Sequence, residues 1–382
     1  MIGSNILITG CTGLVGMHVL YELLGEVAGG ALAGKIYPVL RTSLSLSASE
    51  RVERLLRNRF LPASLRSSVS SAGKAIQPVS ADLCDAGNLR EAIRAAIPAR
   101  EPLTVIHCAG SVNLETTPKA RDDVHAHNYQ GTRNLLRALD GYAARFIYVG
   151  TVFSSGIRHG RVGDDYLSLP SPVYRNPYEE SKGRIEHEIA RYCTEKGIEF
   201  QLLRPSIICG RVMEAPLYYT PKFDVFYGWL KFFWQLKKAG LRSPLRLCIS
   251  DQATMNVVPV DFVAKTIVKA VHSHAGQLNI ANPAVGPTRQ VIQAGLACIG
   301  YEGVRFVDAV PPDLNRVEQF YYKTVGALFD GYINNDASIY DCGKLLSFMA
   351  PVTIPPLFEH ISGIVAFAMQ FDFDERKINH AA

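Results

Sequence analysis

Thr9-Gly10-Cys11-Thr12-Gly13-Leu14-Val15-Gly16 follows directly on the apolar run Asn5–Thr9 and opens the stretch Leu14–Leu24, where apolar residues recur at three- and four-residue spacing. A strand, a glycine-rich turn and a helix in that order form a dinucleotide site. The glycines permit a tight turn and close approach of backbone to a pyrophosphate, while the helix N-terminus offers free N–H groups and a positive dipole end. An ordinary glycine-rich turn has the same composition, and the flanking strand and helix decide against it. Thr9, Gly10, Thr12, Gly13, Leu14, Val15 and Gly16 are therefore expected to line a cofactor site.

Working outward, the apolar runs Ile36–Leu40, Ala75–Val79, Thr104–Cys108, Arg145–Val149 and Glu199–Leu203 alternate with helical stretches at Ala48–Phe60, Gly131–Leu139 and Tyr178–Lys196. This order predicts an α/β fold, a Rossmann-type doubly wound parallel sheet, with a smaller C-terminal substrate-binding region. The alternation stops after Arg204-Pro205. Residues 1–206 are assigned to the nucleotide-binding part, with 255–283 returning to it, and 207–254 and 284–382 to the substrate-binding part.

Composition narrows the class. A chain of 382 residues that is 48% hydrophobic can bury a large core. The excess of 40 Lys and Arg over 35 Asp and Glu is spread along the sequence, which argues against a nucleic-acid partner. Eight cysteines show no C-x-x-C pair, and the His125/His127 pair has no third ligand nearby, so no metal is expected. Met1 runs straight into Asn5-Ile6-Leu7-Ile8 without a basic leader, and no apolar run is long enough to span a bilayer, so a cytoplasmic location is expected.

Arg41 ends the second apolar run, where an NAD-binding chain usually carries an acidic residue for the ribose hydroxyl. A guanidinium there suits a 2′-phosphate, with Arg51, Arg54 and Arg57 close by, and favours NADPH (NADP) as cofactor. Tyr178 and Lys182, four residues apart on a helical stretch, share one face. Hydride transfer to a carbonyl needs an acid at the oxygen, and tyrosine, with its reference pKa of ~10, becomes one when an ammonium stabilises its phenolate. Thr151, just past a strand at the ligand-binding edge of the sheet, supplies a second hydroxyl.

Together with Asp82-Leu83, His107-Cys108-Ala109-Gly110, Asn128-Tyr129-Gln130-Gly131-Thr132, Arg204-Pro205-Ser206 and Val258-Pro259-Val260-Asp261, these motifs resemble the extended short-chain dehydrogenase/reductases. Within that superfamily the chain is most similar to the thioester reductase and fatty acyl-CoA reductase branch. The similarity rests on Arg41, Ala48-x-x-Arg51-Val52, Ser111-Val112-Asn113 and Tyr178-x-x-Ser181-Lys182-x-x-x-Glu186. It covers about the first three quarters of the chain. The resemblance implies that Asp82 and Leu83 border the adenine, that Cys108, Ala109 and Gly110 line the cofactor, and that Lys182 holds the nicotinamide ribose. It also implies that Pro205 and Ser206 flank the nicotinamide and that Asn128 braces the helix of Tyr178. Gly150 and Gly110 depart from the pattern, which commonly has Ser and Ala there.

Between Leu217 and Leu247, Tyr218, Tyr219, Phe223, Phe226, Tyr227, Trp229, Phe232, Phe233 and Trp234 are interleaved with Lys231, Lys237, Lys238, Arg242 and Arg246. Three readings stay open: an apolar lid with a basic rim facing a phosphopantetheine or an acidic carrier, a core helix or dimer contact covered by lysines, and a peripheral membrane contact. The aromatic tail, with Phe320, Tyr321, Tyr322, Phe348, Phe358, Phe367 and Phe371, is expected to pack on the same pocket. The expected activity is NADPH-dependent hydride transfer to an acyl thioester on coenzyme A or an acyl carrier protein, giving aldehyde and in a second step alcohol. A ketone or secondary-alcohol dehydrogenase or epimerase of the same type and an NADP(H)-sensing regulator are the alternatives, and a homodimer is a candidate assembly.

Overall fold

Successive residues of a strand point to opposite faces, so a run that is apolar throughout must be covered on both sides. The computed structural model describes residues 5–42, 46–99, 101–142, 144–241, 243–334 and 338–380. Strands β1 (Asn5–Thr9), β2 (Ile36–Leu40), β3 (Val79–Ser80), β4 (Leu103–His107), β5 (Ala144–Val149), β6 (Glu199–Pro205) and β7 (Gln277–Ile280) form one sheet in the order β7-β6-β5-β4-β1-β2-β3. Every pairing in it is parallel.

The helices that position the site are α1 (Leu14–Ala28), α2 (Ala48–Leu56), α3 (Ala86–Ala96), α4 (Gly131–Ala138), α5 (Pro177–Lys196), α6 (Phe226–Lys238), α7 (Val260–His272), α8 (Thr288–Ile299), α9 (Val325–Ile333) and α10 (Leu357–Gln370). Ile6, Ile8, Ile106, Ile147 and Leu203 share a core with α1 and α7, whereas Leu7, Val105, Phe146 and Leu202 share one with α3, α4 and α5. The period-two split is the doubly wound arrangement itself.

The local differences from the sequence reading have identifiable causes. The third strand was expected at Ala75–Val79, but Gly73–Ala75 is a 3₁₀ turn, Ile76 only bridges Ile36, and the strand is Val79–Ser80. Pro78 lacks the N–H that a ladder needs. The second helix ends at Leu56 rather than Phe60, where Asn58 turns its side-chain oxygen onto the Phe60 N–H at 2.9 Å. The parallel order does not end at Arg204-Pro205, since β7 adds a seventh strand beside β6.

The aromatic stretch is mainly core. Phe226, Tyr227, Trp229, Phe232 and Phe233 of α6 are buried, and the Trp229 indole donates to the Tyr321 hydroxyl at 3.0 Å. Several of its cations are spent inside the chain: Lys237 on the Ile299 carbonyl, Lys238 on Asp372, and Arg246 on Glu318 and Asp313. Arg242 lies outside the described residues. The tail corrects its expectation too, because Tyr321, Phe367 and Phe371 are buried with α6 while Phe320 and Phe358 are exposed. None of the tail aromatics named above lines the catalytic-side cleft. Among the described residues no helix is long and apolar enough to cross a membrane.

Phe233, wholly buried against Trp229, Tyr301 and Tyr321, tests whether α6 is core or lid. Phe233→Ala is expected to cost about 3–5 kcal/mol in urea unfolding. A loss below about 1 kcal/mol would mark α6 as a detachable cover.

Candidate active site

Strand order reverses between β1 and β4, so the chain leaves these two strands in opposite directions and opens a crevice at the carboxyl edge of the sheet. Two clefts occupy it. One of about 520 Å³ is lined by Thr9, Gly10, Thr12, Gly13, Arg41, Asp82, Leu83, Cys108, Ala109 and Gly110, with Arg51 added. The other, about 210 Å³, is lined by Leu14, Val15, Gly16, Thr151, Tyr178, Pro205 and Ser206 among mostly apolar neighbours. Gly10, Gly13, Cys108, Gly110 and Lys222 line both, so the two are continuous. Asn128 and Lys182 are the two sequence-predicted residues that line neither cleft.

The glycine loop is as tight as backbone allows. Gly10 has φ +77°, and a Cβ on it would stand 2.7 Å from the Ala109 nitrogen. A Cβ on Gly16 would overlap the Gly10 carbonyl oxygen. The missing side chains thus let β1, the first turn of α1 and the β4 loop close on one another, leaving a cradle of backbone that suits a pyrophosphate.

Behind the loop runs a buried chain of hydrogen bonds. Thr132 donates to the Asn128 carbonyl at 2.6 Å and so accepts from His107 Nε2 at 2.8 Å. His107 Nδ1 is then an acceptor for the Thr9 hydroxyl at 2.7 Å, whose oxygen in turn takes the Ala109 N–H at 3.2 Å. Burial, helped by the Lys182 charge, lowers the His107 pKa to about 3, which keeps the ring neutral as this chain requires. Asn128 holds the Ser111 N–H at 2.7 Å and donates to the Ser181 hydroxyl at 3.0 Å, tying the β4 loop to α5.

At the far end of the larger cleft, Arg51 donates to the Arg41 carbonyl at 2.7 Å and to the Thr12 hydroxyl at 3.1 Å. Arg41 stands 4.0 Å from the Asp82 carboxylate, with both side chains largely exposed. Two guanidiniums therefore converge beside the glycine loop.

At the near end, Asn176 caps α5 by accepting the Glu179 N–H at 3.1 Å, and Pro177 fits the first turn, so Tyr178 enters the cleft from a fixed helix start. Tyr178 hydrogen-bonds the Thr151 side chain. Burial holds the Tyr178 hydroxyl above its ordinary range and outweighs the lowering from Thr151, so the group is a phenol, not the phenolate that an adjacent ammonium would favour. Lys182 is buried as well, which lowers its pKa to about 8, and its ammonium lies 5.1 Å from the Tyr148 ring centroid.

Both glycine departures have a steric reason. A Cβ on Gly110 would stand 2.9 Å from Asn128 Oδ1 and 3.2 Å from the Lys182 ammonium. A Cβ on Gly150 would meet Glu186 Oε1 at 2.6 Å. Glu186 is buried one helical turn beyond Lys182, accepts from Ser154 at 2.9 Å and pairs with the equally buried Arg204 at 2.9 Å. Arg204 also donates to the Asp164 carbonyl and to Gln277, each at 2.7 Å, and its guanidinium carbon lies 3.9 Å from the Tyr166 ring centroid. Sequence reasoning missed the roles of His107, Arg204 and Lys222. For the first two the signal was present: a histidine and an arginine inside apolar strands need buried partners.

The profile of the male sterility protein family, an NAD-binding family, matches residues 8–267. The chain belongs to this family. The match sets the chain in the extended short-chain dehydrogenase/reductase type and gives the nicotinamide dinucleotide as its cofactor class. A relative from Drosophila melanogaster, CG8306, named provisionally as a fatty acyl-CoA reductase, is 23% identical over 301 residues, which is 70% of this chain. The chain spans only 54% of that relative's length. Among solved structures, the terminal R domain of the myxalamid PKS-NRPS pathway superposes with TM-score 0.67 at 20% identity, covering 97% of this chain and 91% of that one. A point mutant of UDP-glucuronic acid 4-epimerase from Bacillus cereus, bound to NAD and a UDP-sugar analogue, superposes with TM-score 0.64 at 16% identity, covering 96% and 99%. At these identities the structures share the fold.

Removing one partner of a buried ion pair strands the other. Glu186→Ala is expected to cost about 3–5 kcal/mol in urea unfolding. Gly150→Ser, which forces a side chain against that carboxylate, should cost about 1–3 kcal/mol. An unchanged midpoint in either would remove the pair from its place at the base of the site.

Proposed function

We propose that the chain is an NADPH-dependent reductase that takes hydride to the carbonyl of an acyl thioester, held on coenzyme A or an acyl carrier protein, and releases aldehyde and thiol. The observation that carries this reading is the Thr151–Tyr178 hydroxyl pair in a mostly apolar cleft that runs on into the dinucleotide cleft. A sugar nucleotide would need a dense set of polar anchors, whereas this lining is dominated by residues such as Val112, Leu114, Phe153, Ile207 and Ile208. That favours an acyl chain over the substrate of an epimerase.

A bound NADPH supplies the hydride. Thr151 and Tyr178 together hold the carbonyl oxygen, and the protonated phenol gives it a proton, so the carbonyl becomes a hemithioacetal. The carbon–sulfur bond then breaks as the hydroxyl proton returns to Tyr178, and the thiol leaves with a proton from solvent. Lys182, whose ammonium lies behind Gly110 on the wall of both clefts, would hold the nicotinamide ribose and compensate the charge left on Tyr178. Ser206, whose buried hydroxyl has no hydrogen-bond partner among the described residues, sits with Pro205 on the cleft wall where the nicotinamide would stack. Arg41 and Arg51 would hold the 2′-phosphate that distinguishes NADPH from NADH. A second hydride delivered to the aldehyde would give the alcohol.

Tyr178→Phe removes the proton donor and is expected to slow NADPH oxidation with acyl-CoA or carrier-bound thioesters by about 10²–10⁴-fold, followed by nicotinamide absorbance and aldehyde capture. Oxidation with ketones alone would overturn the thioester reading in favour of a dehydrogenase, and tight NADPH binding without any turnover would favour a sensor. Arg41→Ala and Arg51→Ala should each weaken NADPH by about ten- to a hundredfold while leaving NADH affinity unchanged, measured by titration. Because the Lys182 pKa is lowered to about 8, its charge is lost as the pH rises through that value, and kcat/KM is expected to fall on the alkaline side.

A further inference from the structure

The cleft beside Thr151 and Tyr178 does not end in solid core. A second cavity of about 220 Å³, bounded in part by Thr254, Val285 and Tyr340, lies beyond it, and Phe153, Ile207 and Tyr332 line both spaces. Ile207 and Tyr332 also bound a small apolar void against Trp229 and Phe329. Three empty spaces therefore meet at Ile207 and Tyr332, and of these two Tyr332, near the end of α9, carries the larger side chain. The ring stands edge-on to Phe153, with centroids 4.9 Å apart and planes at 84°. Phe153 is tied to the reaction centre through its own N–H, which donates to the Thr151 hydroxyl at 3.4 Å.

Tyr332 is buried and held firmly at its polar end. Its hydroxyl accepts from Asn176 at 2.7 Å and hydrogen-bonds Glu179, a carboxylate with no exposed surface. Arg175 clasps the same carboxylate at 3.2 Å, donates to the Gly331 carbonyl at 2.9 Å and lies 5.5 Å from the Tyr332 ring centroid. Asn176 and Glu179 belong to the first turn of α5, which also carries Tyr178. The partition is thus built from the helix that presents the reacting hydroxyl, so its distance from that hydroxyl is set by rigid elements.

We propose that Tyr332 is the chain-length stop of this enzyme: a straight apolar chain whose head lies at Thr151 and Tyr178 runs to the Tyr332 ring and ends there, and the cavity beyond is space that the ring denies it. The proposal rests on the reading of an acyl substrate. It makes Tyr332 a specificity-determining residue with no part in proton or hydride transfer.

The test uses the NADP-loaded full chain and a graded series of straight-chain primary alcohols, read as the rise in unfolding temperature, alongside NADPH oxidation with the matching acyl-CoA series. In the wild type, stabilisation is expected to grow by about fourfold in affinity per added methylene and then stop at one chain length. In Tyr332→Ala the growth should continue to longer chains, and kcat/KM across the thioesters should shift the same way. Tyr332→Leu, which keeps an apolar body in place, should give the same shift if the alanine variant does not fold. Tyr332→Phe retains the ring and should keep the wild-type limit. Val285→Phe added to Tyr332→Ala refills the far cavity and should restore it. The same limit in the wild type and both truncations would overturn the proposal, as would a wild type with no limit. A shifted alcohol limit in a protein that reduces no thioester would sink the thioester reading and leave the chain-length stop standing.

Discussion

A carboxylate and a guanidinium removed from water are tolerated only as a closely hydrogen-bonded pair, because each alone would carry a desolvation cost of several kcal/mol. Glu186 and Arg204 are such a pair, one on α5 and the other on β6, and both are fully or almost fully buried. The pair locks the helix that carries Tyr178 and Lys182 to the sheet at one rotation about its axis. Ser154, which donates to the same carboxylate, belongs to the 3₁₀ turn capped by Thr151, so the second hydroxyl is referred to the same point. The relative placement of Thr151, Tyr178 and Lys182 follows from this contact more than from contacts among the three themselves. Gly150 has no side chain for the same reason, since the carboxylate occupies the place a Cβ would take.

The dinucleotide end follows a different constraint, close approach of main chain. Gly10 and Gly16 remove two Cβ atoms at the point where β1, α1 and the β4 loop would otherwise collide. The neutral His107, bonded on both ring nitrogens, then holds Thr9 and Thr132 at a fixed separation beneath the loop. Its neutrality is enforced by burial and by the Lys182 charge, so the cofactor loop and the reaction centre share one electrostatic environment.

The C-terminal part reconciles an apolar surface with many cations. Its aromatic residues fill a core around α6, and Lys237, Lys238 and Arg246 beside them end on carbonyls and carboxylates of the same chain. What this part contributes to the cleft includes Ile207, Ile208, Lys222, Asp224, Val225, Tyr227 and Tyr332. An apolar wall at the mouth of a polar, cationic cleft fits the acyl substrate proposed above, with its carbonyl at one end and hydrocarbon behind it.

Much of this was legible in the residues. The run Asn5–Thr9, the glycine turn and the alternation up to Glu199 specify a doubly wound sheet because period-two and 3.6-residue patterns allow few other ways to bury both faces. The position of Thr151 past a strand and of Tyr178 and Lys182 one turn apart on a helix follows from local geometry alone. Local pattern did not reveal that Pro78 would shorten the third strand, and it returned 255–283 to the nucleotide-binding part without giving Gln277–Ile280 as a seventh strand, since pairing partners lie far apart in sequence. Nor could it say whether the aromatic stretch was lid or core, because both bury the same side chains and differ only in what lies opposite. The sequence by itself determined the sheet, the glycine cradle and the choice of Thr151 and Tyr178 as the hydroxyls proposed to react. Only the tertiary structure decided the protonated state of Tyr178, the burial of Glu186 against Arg204 and the ring of Tyr332 across the cleft, because desolvation and long-range contact depend on the whole folded environment and not on neighbours in the chain.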